Sequence, residues 1–81
     1  MRHVFAERFL EKLEFLPKQT QEKFWKQLGF LLADLRHPSL HAKKYDEAQN
    51  IWQARVDRNY RLYFLIEKDS YILLDIRSHP K

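Results

Sequence analysis

Arg55 and Arg61 are the residues whose type and spacing first suggest chemistry in this 81-residue chain. They lie within residues 51–66, where apolar and polar side chains alternate on both sides of a polar trio at 57–59, a pattern typical of a β-hairpin. A three-residue turn places Arg55 directly opposite Arg61, and Asn59 suits the left-handed position that such turns need. Like charges that face each other on a sheet are unfavourable, so this pair is either well solvated or binds an anion.

The face of the predicted sheet that carries these arginines is rich in basic and aromatic side chains. By alternation it also presents Gln53, Tyr63, Leu65, Leu73, Asp75 and Arg77. Guanidinium groups bind phosphate through paired hydrogen bonds, and a tyrosine ring can stack on an unpaired base, so this face suits RNA. The alternative is a solvated surface on which Asp75 simply pairs with Arg55, Arg61 or Arg77.

Histidines supply the candidates for proton transfer. His79 follows the last predicted strand, and imidazole is the side-chain group that most readily exchanges a proton near neutral pH. His41 is the reserve candidate, whereas His3 and His37 are expected to be structural or solvent-facing. Four scattered histidines without a cysteine match no metal-binding spacing, so neither a metal ion nor a cofactor is predicted.

Two amphipathic helices must support this sheet. The first carries an apolar stripe of Phe5, Phe9, Leu13 and Leu16, and Pro17 ends it. The second begins between residues 18 and 21, with Thr20 as a possible N-cap, and buries a stripe of Phe24, Leu28, Leu31 and Leu35. Phe30 lies on the opposite side of that helix, either as a lone exposed aromatic or as a contact for a partner protein.

Strands follow the helices. A brief edge strand is predicted at residues 43–45, and a last strand at 71–77 turns Ile72, Leu74 and Ile76 to the core. The core between sheet and helices is therefore expected to contain Trp52, Val56, Leu62, Phe64, Leu74 and Ile76. The fold class is α+β, a single domain over residues 1–81 with two helices on one face of a small antiparallel sheet.

Composition narrows the class of partner. Fifteen Lys and Arg against eleven Asp and Glu give a formal charge of +4, which favours a polyanion or an acidic protein. No apolar run is long enough to span a membrane, and the first residues lack the apolar centre of a signal peptide. Together with the absence of cysteine, this predicts an intracellular, cytoplasmic protein.

The order of two helices, HPSLHAKKY, IWQARVDRNYRLYF and ILLDIRSH resembles the RelE/ParE superfamily of toxin–antitoxin toxins. The most specific part is the spacing of Trp52, Arg55-Val56, Tyr60-Arg61 and Tyr63 across the hairpin. The resemblance implies a first strand before the helices, cut short or absent because only residues 2–5 are available. It also implies a small toxin, neutralised by an acidic antitoxin, that cleaves mRNA on the ribosome or, in the ParE branch, inhibits DNA gyrase.

The resemblance carries roles onto particular residues. Arg61 matches the position of the family's phosphate-binding arginine, and Arg55 matches a position on the preceding strand where a basic residue recurs. Gln53 stands where some members have lysine. His79 aligns with a histidine or lysine, and Lys43 and Lys44 match basic residues of the edge strand. The implied activity is metal-independent endoribonuclease cleavage. The sequence ends at Lys81, without the terminal tyrosine and second arginine of many active members, so a catalytically weakened binding module is a further alternative.

Overall fold

The computed structural model describes residues 1–79. Its elements, in chain order, are β1 (Arg2–Phe5), α1 (Phe9–Glu14), α2 (Lys18–Ala33), a 3₁₀ turn (Pro38–Leu40), β2 (Lys43–Asp46), β3 (Ile51–Arg55), β4 (Tyr60–Glu67) and β5 (Ser70–Ser78). Within residues 1–79 the strands form a five-stranded sheet in the order β1-β5-β4-β3-β2, in which β1 and β5 are parallel and the other pairs are antiparallel. Both helices pack on one face, which confirms the α+β class.

The N-terminal strand is present, with four residues. β1 pairs with the first half of β5, and this register places Phe5 beside Leu73. Phe5 therefore belongs to a strand, so the prediction that it begins the first helical stripe is wrong. Its ring still packs on the ring of Phe9, with centroids 5.4 Å apart. Helix α1 is correspondingly short, and it follows Arg8, which adopts a left-handed conformation with φ of 69°.

Helix α2 begins at Lys18, directly after Pro17. A helix with Thr20 as its N-cap would begin only at Gln21. Thr20 lies inside the first turn, and its hydroxyl Oγ1 donates to Asp57 Oδ2 at 2.9 Å. The N-cap prediction is therefore wrong, because a tertiary contact uses the hydroxyl. The helix ends at Ala33, and Asp34 is extended, so Leu35 packs on the core from outside the helix.

A β-bulge in β5 changes which residues form the core. Tyr63 pairs with Asp75 but Phe64 pairs with Leu73, so Leu74 is an extra residue with no partner on β4. The alternation of β5 is inverted beyond this point. Leu73 is fully buried and Tyr71 nearly so, whereas Ile72 and Leu74 are only half-buried. The predicted placement of Ile72 and Leu74 in the core, with Leu73 on the outer face, is therefore wrong.

The rest of the predicted core is close to what the structure shows. Val56, Leu62, Phe64 and Ile76 are buried, and Trp52 is half-buried against them. The burial of Ala54 beside them leaves the opposite face of β3 and β4 as the polar face.

The central hairpin has the predicted register. Arg55 pairs with Arg61, and the backbone N–H of Val56 donates to the carbonyl of Tyr60 at 3.1 Å. Asn59, however, is not in the left-handed region. The turn is instead held by the Asp57 carboxylate, whose Oδ1 accepts the backbone N–H groups of Asn59 and Tyr60 at 2.8 and 2.9 Å.

Phe30 is not a lone exposed aromatic. Its ring is half-buried and stacks on the imidazole of His37, with centroids 3.8 Å apart and planes 6° from parallel. His37 Nδ1 in turn accepts the backbone N–H of Ser39 at 3.2 Å and caps the 3₁₀ turn. Phe30 therefore packs on His37, and its role as a partner contact stays a prediction; Phe15, with 89% of its surface exposed, is the more accessible aromatic. No helix within residues 1–79 is long and apolar enough to cross a membrane.

Candidate functional site

A cleft of about 380 Å³ opens on the outer face of the sheet, near the β3–β4 turn. It is lined by His41, Ala42, Lys43, Gln53, Arg55, Arg61 and His79. Two ladder rows build it: Lys43 pairs with Gln53, and Arg55 pairs with Arg61, which pairs in turn with Arg77. The structure thus brings together the three predicted catalytic residues and two of the predicted phosphate-binding residues. We call this the arginine cleft.

The Arg61 guanidinium is fixed by the hairpin turn. Its Nη1 donates to the backbone carbonyls of Asp57 at 2.8 Å and of Tyr60 at 3.0 Å. Burial, and then the charge of Arg55 opposite, lower the pKa of Arg61 below its ordinary value. A cation that is held in place, half-buried and close to a like charge gains from a bound anion, because the opposite charge favours the charged form and offsets the repulsion between the arginines.

Neither arginine is paired with a carboxylate within residues 1–79, and the charge of Asp57 acts on Arg61 less strongly than that of Arg55. Asp75 Oδ1 lies 2.5 Å from Lys12 Nζ, and Asp75 Oδ2 lies 3.1 Å from Arg77 Nε. Within residues 1–79, Asp75 therefore pairs with Arg77, one of the three alternatives considered from the sequence, and not with Arg55 or Arg61. Arg55 and Arg61 make no ion pair in the described part of the chain, so their charges are available to a ligand.

Backbone geometry brings two histidines to this cleft. The backbone N–H of His79 donates to the carbonyl of Asn59 at 2.6 Å, which ties the end of β5 to the hairpin turn. His41 leaves the 3₁₀ turn in a left-handed conformation with φ of 48°. Both imidazoles are exposed and line the arginine cleft. His41, ranked second from the sequence, is as well placed as His79.

The adjacent lysines of β2 face opposite sides of the sheet. Lys43 lines the arginine cleft, as predicted. Lys44 lies on the helix side, where its Nζ donates to Asn50 Oδ1 at 2.9 Å and stands 5.4 Å from the Trp52 ring centroid. Lys44 is therefore not part of the arginine cleft, because strand alternation separates neighbouring side chains.

Tyr63 is on the outer face, as predicted, but its ring is covered. Only 5% of the residue is exposed, because Tyr45 packs edge-on at 4.8 Å and the Arg77 guanidinium lies 4.2 Å from the ring centroid. Tyr63 thus offers no free surface to a base. Tyr45, half exposed, is the accessible ring, and the alternation of β2 from Lys43 could have identified it.

The end of the chain falls outside this description. Pro80 and Lys81 lie beyond the described residues. The alternative of a catalytically weakened binding module, which rested on the C-terminal end of the sequence, therefore stays a prediction. Within residues 1–79, no group of three or more His, Asp or Glu side chains is arranged to hold a metal ion.

Two helices on one face of a five-stranded, mostly antiparallel sheet, with a basic cleft on the other face, define a RelE/ParE-like fold. The family model described as "ParE toxin of type II toxin-antitoxin system, parDE" matches residues 4–81. The chain therefore belongs to this family, and it is a toxin of a type II toxin–antitoxin system within the RelE/ParE superfamily.

Solved structures show the same fold at low sequence identity. The archaeal RelE of the RelE–RelB complex from Pyrococcus horikoshii has a TM-score of 0.80 and 16% identity, covering 95% of this chain and 92% of that one. The YoeB/ParE toxin from Agrobacterium tumefaciens has a TM-score of 0.81 and 13% identity, covering 99% of this chain and 100% of that one. The isolated RelE toxin of E. coli has a TM-score of 0.75 and 18% identity, covering 99% of this chain and 85% of that one. Comparison with curated protein sequences finds no match.

Proposed function

We propose that this toxin is an endoribonuclease that cleaves mRNA on the ribosome. The observation that carries the proposal is the arginine cleft, in which the cations of Arg55 and Arg61 lie opposite each other, lack an acidic partner within residues 1–79, and adjoin two imidazoles. Such a cleft suits a phosphodiester, because guanidinium groups match the geometry of phosphate oxygens.

The reaction is a transesterification within the RNA strand. A base takes the proton of a ribose 2′-hydroxyl, the 2′ oxygen attacks the neighbouring phosphorus, and the 5′ oxygen leaves with a proton from an acid. Arg55 and Arg61 stabilise the charge that gathers on the phosphoryl oxygens. His41 and His79 supply the base and the acid, and Lys43 and Gln53 bind the adjoining phosphate and sugar.

Cleavage of ribosome-bound mRNA during translation in vitro tests this proposal. Arg61→Ala should lower the cleavage rate by about two to three powers of ten, the usual loss when one electrostatic donor is removed. Lys43→Ala and Lys44→Ala make a matched pair, since neighbouring lysines of one strand face opposite sides. We expect a lower rate for the Lys43 variant and little change for the Lys44 variant. Intact mRNA with wild-type protein would refute the proposal.

An acidic antitoxin is the proposed protein partner. The P. horikoshii relative was solved as a RelE–RelB complex, and this chain carries a formal charge of +4. It also exposes the edge strand β2 and the ring of Phe15, features on which a partner chain can add a strand or place a helix. Co-purification from the native host should recover the toxin bound to a small acidic protein. Recovery of the toxin alone, without growth arrest, would contradict this part.

Inhibition of DNA gyrase is the second candidate, favoured by the ParE description of the matching family model. The two activities differ in what they require of the cleft. Combined His41→Ala and His79→Ala substitutions should abolish RNA cleavage, because proton transfer is lost, but should leave a gyrase inhibitor active. A supercoiling assay with purified gyrase distinguishes them.

A further inference from the structure

A second and larger cleft lies between the N-terminal half of α2 and the β3–β4 turn. It has a volume of about 820 Å³, and the residues that line it include Gln19, Lys23, Asp57, Arg58, Asn59 and Tyr60. We call it the hairpin–helix cleft. It shares Arg55 and His41 with the arginine cleft, so the two adjoin around the end of the sheet.

The hairpin–helix cleft is cationic. The exposed side chains of Lys23 and Arg58 line it, and within residues 1–79 neither forms an ion pair. The carboxylate of Asp57 is already occupied, because Oδ2 accepts the Thr20 hydroxyl and Oδ1 accepts two backbone N–H groups of the turn. These donors are neutral, so Asp57 keeps its charge, but the three cations Lys23, Arg55 and Arg58 outnumber it and the cleft has a net formal charge of +2.

The floor and walls of the cleft suit more than a simple anion. Half-buried Tyr60 provides apolar surface, and exposed Gln19 and Asn59 offer amide donors and acceptors. A cleft of this volume lies in the range that holds small organic ligands, about 300–1,000 Å³. Sugars and bases match the apolar floor and the amides, while phosphates match the cations.

We propose that the hairpin–helix cleft binds the nucleotides of a single-stranded RNA next to the phosphate held by Arg55 and Arg61. Lys23 and Arg58 contact the phosphates of these flanking nucleotides, and Arg55 and His41 mark where the strand passes between the clefts. The inference rests on the proposed ribonuclease function and extends it to the path of the substrate. An acidic polypeptide would satisfy the same cations, but it would not require that the two clefts adjoin.

Binding of uncleavable RNA tests the path without relying on catalysis. The probes are a dinucleotide and an octanucleotide, both 2′-O-methylated so that the attacking hydroxyl is blocked. Affinities for the wild-type protein and for the double variant Lys23→Gln/Arg58→Gln are measured over a salt series. The matched control is Lys26→Gln/Arg36→Gln, which removes one lysine and one arginine that do not line this cleft. Circular dichroism checks that each variant folds.

The Lys23→Gln/Arg58→Gln variant, called the pocket variant below, should keep wild-type affinity for the dinucleotide and lose affinity for the octanucleotide. The slope of log K against log salt should become less negative by about 1.4, since each lost phosphate contact on a single strand removes about 0.7 from its magnitude. The control variant should lose less affinity and show a smaller change in slope. Equal losses in both double variants, or none, would overturn the inference.

Two further measurements separate this inference from the proposed function. If Arg61→Ala weakens dinucleotide binding while the pocket variant leaves octanucleotide binding unchanged, the path is wrong and the RNA site stands. If the wild-type protein binds neither oligonucleotide, both proposals fail. If the pocket variant loses affinity for polyglutamate and keeps its affinity for RNA, the cleft receives an acidic polypeptide and the inference is overturned.

Discussion

The bulge in β5 makes a sharp prediction about two neighbouring leucines. Leu73 is fully buried, whereas Leu74 is half-buried and lines a surface groove with Phe15 and Lys12. Leu73→Ala should lower the free energy of unfolding by about 2–5 kcal/mol, the cost of removing buried methyl groups and leaving a cavity. Leu74→Ala should cost about 1 kcal/mol or less, because the side chain keeps much of its contact with water.

Urea unfolding followed by circular dichroism measures both values. The two variants remove the same atoms from adjacent positions of one strand, so each controls for the other. For a domain of this size, 1 kcal/mol corresponds to about 4–8 °C in melting temperature, so Leu73→Ala should lower the melting temperature by at least about 8 °C. The m value should stay unchanged if the native and denatured states keep their compactness.

The opposite ranking would refute the bulge. Simple alternation along β5 predicts that Leu74 is buried and that Leu73 faces outwards. A larger loss for Leu74→Ala than for Leu73→Ala would therefore show that the strand keeps regular alternation and that Leu73 is not in the core.

Three further predictions concern the groups that hold the two clefts together. Gln27→Leu should destabilise the protein by about 1–3 kcal/mol in urea unfolding, because Gln27 Nε2 donates to the carbonyls of Ser39 and Arg55 and the leucine leaves both unpaired. Asp57→Ala should cost a similar amount and Asp57→Asn less, since asparagine keeps one acceptor for the turn; equal costs would contradict this. Burial and then the nearby charge of Asp34 raise the pKa of Tyr71, so the folded protein holds that proton at a pH where the unfolded chain releases it. The free energy of unfolding should therefore fall as pH rises above about 10, and Tyr71→Phe should remove part of that fall in urea unfolding at pH 9 and 11.

Local patterns in the sequence determined the hairpin, its register and the face of its arginines. Alternation over residues 51–66 and a short polar turn permit one pairing that buries one face, and that pairing sets Arg55 opposite Arg61. Alternation also placed Gln53 on that face, whereas Lys43 and His79 were candidates because of the resemblance to the RelE/ParE superfamily; the structure brings all three together. Periodicity succeeded there because strand geometry repeats without interruption.

Tertiary structure decided the features in which distant segments meet. One unpaired residue in β5 inverted the alternation, and it exchanged Leu73 for Leu74 in the core without any glycine or proline to signal the bulge. The Thr20 hydroxyl reaches Asp57, which is 37 residues away in the chain, so it could not be recognised as a tertiary contact from local capping rules. Whether a cation is available depends on the nearest carboxylate in space, and only packing shows that Asp75 is engaged by Lys12 and Arg77, which leaves Arg55 and Arg61 open to an anion.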